Sequence, residues 1–145
     1  MENVKLSIKI NAPVQKVFDF LTNPNNIPLV LPGLIENTNI PQLPLKAGDK
    51  FDFKYKMIGV VVEGVTVVDK IESPASYHFS TSAGLVSHWR EQFSPEGDAT
   101  KIILEVDYDT PKSVTDKIII GVARKFNLKE AERYLQNIQL ALELN

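Results

Sequence analysis

The chain has 145 residues and no cysteine, and its sixteen lysines and arginines stand against eighteen acidic residues for a formal net charge of -2. That length suffices for one domain with its own core, read as residues 1–145, and the missing thiols exclude disulfides, thiolate metal sites and a cysteine nucleophile. With no basic block longer than Arg124-Lys125, the electrostatic footprint of a nucleic-acid binder is missing and no such partner is expected.

The opening Met1-Glu2-Asn3-Val4-Lys5 lacks a signal peptide's apolar segment. Apolar runs such as Ile118-Ile119-Ile120 fall far short of the roughly 18 residues of a membrane span. The expectation is a soluble, cytoplasmic protein without a transmembrane segment.

Val4, Leu6, Ile8 and Ile10 alternate with Lys5, Ser7 and Lys9, the two-residue period of a strand with one buried face. Ala12-Pro13 follows, then Val14, Val17, Phe18 and Leu21 at helical spacing. Asn23-Pro24 starts a second short helix, which Pro28 keeps short and Pro32-Gly33 ends. From Leu34 the pattern changes to strands and tight turns. Leu34 to Ile40 reads as a weak strand, with Pro41 and Pro44 better suited to an edge or loop. Strands are then predicted from Phe51 to Met57, Val60 to Ile71, Tyr77 to Thr81, Val86 to Phe93 and Thr100 to Tyr108. Their turns are Ile58-Gly59, Ser73-Pro74, Ala83-Gly84-Leu85 and Pro95-Glu96-Gly97-Asp98.

Hairpin lengths carry a face assignment from strand to strand, because directly opposed residues of an antiparallel pair share a face. With Phe51 and Phe53 inward, the two-residue turn sends Val60, Val62, Gly64, Thr66 and Val68 inward. The following loops do the same for Tyr77, Phe79 and Thr81, and for Ser87, Trp89, Glu91 and Phe93. Pairing Phe93 with Ile102 adds Leu104, Val106 and Tyr108. The resulting face is large, aromatic and sparsely polar; one bulge would flip every later assignment. His78 and His88 fall on the opposite, outward face, where a structural role is expected.

The stretch from Pro111 to Leu144 is helical in composition and long enough to cross a small domain. Leu128, Ala131, Leu135, Ile138 and Leu142 form one apolar stripe, while the run Lys129-Glu130-Ala131-Glu132-Arg133 reads as mainly a solvated face. Ile118, Val122 and Phe126 point roughly opposite that stripe. With Gly121 between, and Asn127 and Glu130 spaced as a capping box, a break between Gly121 and Asn127 is predicted. The alternative is a continuous helix whose front half is buried on several sides.

Strand, two short helices, six strands in a meander and a long C-terminal helix is the helix-grip order, an α+β fold. Several motifs resemble the START-like, or SRPBCC, superfamily: Ile8-Lys9-Ile10-Asn11-Ala12-Pro13 with Val17-Phe18, Leu31-Pro32-Gly33-Leu34, Leu45-Lys46-Ala47-Gly48-Asp49, and Trp89 with Phe93-Ser94-Pro95. The resemblance covers nearly the whole chain, nearest the polyketide cyclase/dehydrase-like branch and a branch similar to a carbon monoxide dehydrogenase subunit. It implies a seven-stranded curved antiparallel sheet wrapped around the C-terminal helix, with an apolar cavity between them for a hydrophobic small molecule such as a lipid, quinone or polyketide.

Combined with the face assignment, this nominates Phe53, Tyr55, Val62, Tyr77, Phe79, Trp89, Glu91, Leu104, Val106, Tyr108, Val122 and Phe126 as ligand-binding residues. The superfamily shares no catalytic motif and none is carried over; no metal site and no cofactor is expected, and the sequence sets no oligomeric state. Binding without catalysis is the first reading, a small cyclase or dehydratase using the inner tyrosines and Glu91 the second, and an interaction module with a collapsed cavity the third. Glu91 is the sharpest nomination, since a carboxylate on an apolar face needs a partner, a proton or a polar ligand group. A register slip would instead make it a surface charge.

Overall fold

The computed structural model describes residues 2–83, 85–109 and 117–144. Its elements are β1 (Glu2–Ile10), α1 (Val14–Leu21), a single 3-10 turn (Ile27–Leu29), β2 (Leu34–Thr38), β3 (Lys50–Met57), β4 (Val60–Glu72), β5 (Ser76–Ser82), β6 (Val86–Glu96), β7 (Ala99–Tyr108) and α2 (Lys117–Glu143). The strands form one antiparallel sheet in the order β1-β7-β6-β5-β4-β3-β2, curved around α2, which makes the chain an α+β helix-grip fold. Gly84, the Pro111 start of the C-terminal stretch and the side chain of Ile118 lie outside the described residues.

The register matches the inward face residue by residue. Phe51 meets Thr66, Phe53 meets Gly64 and Tyr55 meets Val62. Val68 meets Phe79, and across the next pair Tyr77 meets Glu91 and Phe79 meets Trp89. Phe93 meets Ile102, Glu91 meets Leu104 and Trp89 meets Val106, and β1 closes the far edge with Leu6 on Leu104 and Val4 on Val106. Two departures between β4 and β5 offset one another. The connecting loop spans three residues, since Glu72 pairs with Ser76, and a bulge between Val68 and Lys70 gives that extra residue back. Ile71, not Lys70, therefore pairs with Tyr77.

The two-residue turn at Ile58-Gly59 has positive φ at both positions, the backbone that matches strand twist in a tight hairpin. The hairpin tip is exposed, and with it Val60, although that residue is on the inward side.

α2 corrects the expected break: it runs unbroken through Gly121 and Asn127. Among its described side chains the front half is not buried on several sides either, since Val122 is 50% exposed. Behind it, Ala131, Tyr134, Leu135, Ile138 and Leu142 are buried against the sheet. Side chains also bolt this half to neighbouring backbone. Glu130 Oε1 accepts from the Gly33 amide at 2.7 Å, Asn137 donates to the Val30 carbonyl at 3.0 Å, and Gln139 donates to the Lys9 carbonyl at 3.1 Å. Glu143 accepts from the Asn11 amide at 2.8 Å. Because these partners lie on or just after β1 and in the segment after α1, the rear of the helix sits low over the β1–β7 edge and closes it as core. The opposite side of the concave face stays open.

Candidate functional site

A cavity of about 370 Å3 fills that open side. Its walls come from β3 (Phe51, Phe53, Tyr55), β4 (Val62, Thr66), β5 (Tyr77, Phe79, Thr81) and β6 (Ser87, Trp89), from the end of β7 (Tyr108), and from Leu21, Ile27, Leu31 and Leu34. Ala123, Asn127, Glu130 and Tyr134 of α2 form the remaining side. Two glycines make room for the aromatic walls. A Cβ on Gly64 would stand 2.5 Å from the Phe53 ring, and one on Gly33 2.6 Å from the Tyr55 ring, so each ring lies against bare backbone. The Phe79 and Trp89 rings stack with centroids 5.5 Å apart, and Tyr77, Tyr108 and Tyr134 meet this pair in tilted or edge-on contacts. The indole N–H of Trp89 is taken by Ser87 Oγ at 3.0 Å, so this aromatic wall offers no unused donor there.

Of the twelve nominated residues, Phe53, Tyr55, Val62, Tyr77, Phe79, Trp89 and Tyr108 stand on the cavity wall. The other five do not. Leu104 and Val106 face inward but lie under the rear of α2 on the closed side, completely buried. Val122 points toward solvent and Phe126 is half-buried off the wall, because the unbroken helix has one cavity-facing direction and neither residue lies on it. The gate expected from a helix break has no hinge here, since α2 is continuous.

Glu91 is the fifth. It faces inward with no exposed surface, yet it lies one layer behind the wall. There Oε2 accepts a 2.5 Å hydrogen bond from the Tyr134 hydroxyl, while Oε1 has no partner among the described residues. Burial raises its pKa to about 7, opposed by the Tyr134 hydrogen bond, which favours the ionised form. Burial first, then the Glu91 charge, pushes the Tyr134 and Tyr77 hydroxyls well above their ordinary values. Glu91 has thus found a hydroxyl and a raised affinity for a proton, two of the three outcomes a carboxylate in this position can have.

Among the wall residues that the sequence does not nominate, two on α2 carry polar groups that matter to the cavity's chemistry. Glu130, read with the solvated run, is 7% exposed, lines the cavity and holds the Gly33 amide; Lys129, Glu132 and Arg133 are exposed as expected. Its charge raises the Tyr108 and Tyr55 hydroxyls, after burial in each case. Tyr134 sits three residues after Ala131 and four before Ile138, so the helical period that marks the apolar stripe also points to it.

At the mouth, Arg124 makes a bidentate ion pair with Glu2, at 2.8 and 2.9 Å. His78 and His88 lie outside this site on the other face: His88 Nδ1 is 2.8 Å from Ser80 Oγ, and burial, then Lys70 and Arg90, lowers the pKa of His78. Among the described residues, no group of three histidines and carboxylates could hold a metal ion, and no helix is long and apolar enough to cross a membrane.

The family described as polyketide cyclase / dehydrase and lipid transport matches residues 1–143. The chain belongs to that family. Solved structures share its fold across nearly the whole length. TTHA0849 from Thermus thermophilus superposes with a TM-score of 0.84 at 14% identity, covering 99% of this chain and 98% of that one. A START superfamily protein from Mycobacterium smegmatis gives 0.80 at 12% identity, covering 98% and 97%. Ginseng major latex-like protein 151 from Panax ginseng gives 0.72 at 14% identity, covering 97% of each chain. A comparison with curated protein sequences found no match. The family and its START-like architecture make this a ligand-binding fold.

Proposed function

We propose that the chain binds or carries a bulky hydrophobic small molecule, a lipid, quinone or polyketide-like compound, in the cavity between sheet and α2. The observation that carries this reading is the cavity itself: about 370 Å3, walled mainly by aromatic and aliphatic side chains that leave it unfilled. Residues 1–145 would act as one ligand-binding unit, in the cytoplasm, without nucleic acid as a partner. The test is titration with N-phenyl-1-naphthylamine, an uncharged fluorescent probe, read by its emission and by quenching of Trp89, in the wild type and in Val62→Trp. The wild type should bind and the filled variant should not, with equal thermal stability. Absence of wild-type binding, or equal binding in both, would remove the reading.

A second reading, a cyclase or dehydratase, draws on the Glu91–Tyr134 hydrogen bond. A carboxyl with a pKa of about 7 behind a cavity-facing hydroxyl could pass a proton to and from a bound carbonyl. Glu91→Gln would then abolish turnover of a poly-β-ketone while leaving its binding intact. Binding without wild-type turnover would leave only the first reading.

A further inference from the structure

Resting on the binding reading above, we infer that the cavity selects uncharged apolar molecules, such as a neutral alcohol, ketone or quinone-type compound, and turns away their anionic counterparts, such as a free carboxylic acid, sulfate or phosphate. The argument is one of charge inventory. Among the described lining residues the charged groups are Glu2, Asp109, Arg124 and Glu130. Arg124 is the one base, and both its contacts go to Glu2 at the mouth, so that pair is electrically neutral and stands at the entrance.

Deeper in, the charge is of one sign. Glu130 is almost fully buried on the wall, and its Oε1 is held by a backbone amide, not by a cation. Glu91 lies directly behind Tyr134, and among the described residues no cation acts on it; the groups it faces are Tyr77 from β5, Tyr134 from α2 and Leu104 from β7. Apolar aromatic walls screen little, so an anion in the cavity meets repulsion from the Glu130 carboxylate, and from Glu91 above its own titration. It would also give up its hydration, and among the described lining residues no unpaired cation would replace it, because Arg124 is already engaged by Glu2. A neutral molecule incurs neither cost.

The test uses two probes with one ring system: N-phenyl-1-naphthylamine, which is uncharged, and 1-anilinonaphthalene-8-sulfonate, which adds only the anion. At pH 8 and low salt the neutral probe should bind at least tenfold more tightly. The ratio of the two affinities should fall at least threefold in Glu130→Gln, whose amide oxygen still accepts from the Gly33 amide, and in Glu91→Gln, which can still bond Tyr134. It should also fall in the wild type between pH 8 and pH 6, and that pH dependence should vanish in Glu91→Gln. Equal affinities in the wild type, or a ratio that neither variant changes, would overturn the charge selection while leaving the binding reading in place. Failure of both probes to bind would overturn the binding reading and this inference with it.

Discussion

The two halves of α2 are one continuous helix under opposite constraints. From Glu130 onward, five side chains are buried against the sheet and four others bond backbone on or just after β1 or in the segment after α1. From Gly121 to Leu128, Val122 and Leu128 are exposed, and the Glu2–Arg124 pair ties this half to the sheet. The rear half is therefore the anchor, with Glu130 and Tyr134 reaching the cavity, and the front half forms the rest of the cavity's helical side. A helix that were equally anchored along its length would have to press its front onto the aromatic wall and would leave no space for a ligand. Asymmetry of anchoring, rather than a kink, is what opens this fold.

Substitutions should separate the halves sharply. Ile138→Ala removes a fully buried side chain from the rear and should cost about 2–5 kcal/mol in chemical denaturation, whereas Val122→Ala should stay within about 0.5 kcal/mol of the wild type. Comparable losses at the two sites would contradict the division.

Next in size is the buried carboxyl held by the rear half. Glu91 titrates near 7 in the fold against an ordinary value of 4.5, so between those pH values the folded chain keeps a proton that the unfolded chain releases. Stability from this group is fully present below about pH 4.5 and is lost as pH rises through 7. The difference in unfolding free energy between wild type and Glu91→Gln should therefore move against the wild type by up to about 3 kcal/mol between pH 4.5 and 8. A difference that stays flat across that window would mean that Glu91 is not held as the structure has it.

A smaller effect belongs to the junction of the halves. Glu130→Ala leaves the Gly33 amide without its acceptor and should cost about 1–3 kcal/mol, while Glu130→Gln should recover most of it. Equal losses in the two variants would show that charge, not the hydrogen bond, matters there.

How much of this was legible in the sequence follows the same division. The sheet was readable because its hairpins are short: two residues at Ile58-Gly59 and three between Ser82 and Val86, while the last turn, read as Pro95 to Asp98, tightens to Gly97-Asp98 with the same parity. The bulge after Val68 left no signal in the pattern, yet the longer loop at Ser73 offset it, so the faces on either side survived. The rear stripe was readable from its periodicity. The front half was not, because periodicity reports which residues share a direction and not whether anything lies in that direction: Val122 and Phe126 were assigned to a wall that the helix does not present. Glu130 and Tyr134 were missed for a related reason. A carboxylate and a hydroxyl look solvent-facing in a one-dimensional pattern, and only the contact with Gly33 and with Glu91 turns them inward.

The smallest expected effect is at the mouth, and it bears most directly on the comparison. Arg124 is 61% exposed and its partner Glu2 30%, so water and salt screen their attraction and holding both side chains in register costs entropy. Global stability should be indifferent to the pair: Arg124→Ala should denature at the wild-type midpoint. Its influence should be local. The front half has few other ties, so amide hydrogen exchange from Gly121 to Leu128 should accelerate in the variant while exchange from Ala131 to Leu142 stays at the wild-type rate. Raising the ionic strength well above roughly 0.15 M should bring the wild-type front half toward the variant's rates, because the Debye length then falls to a few ångströms. Acceleration spread evenly along α2 would show that the helix opens as one unit, and the distinction between an anchored rear and a loosely tied front would have to be given up.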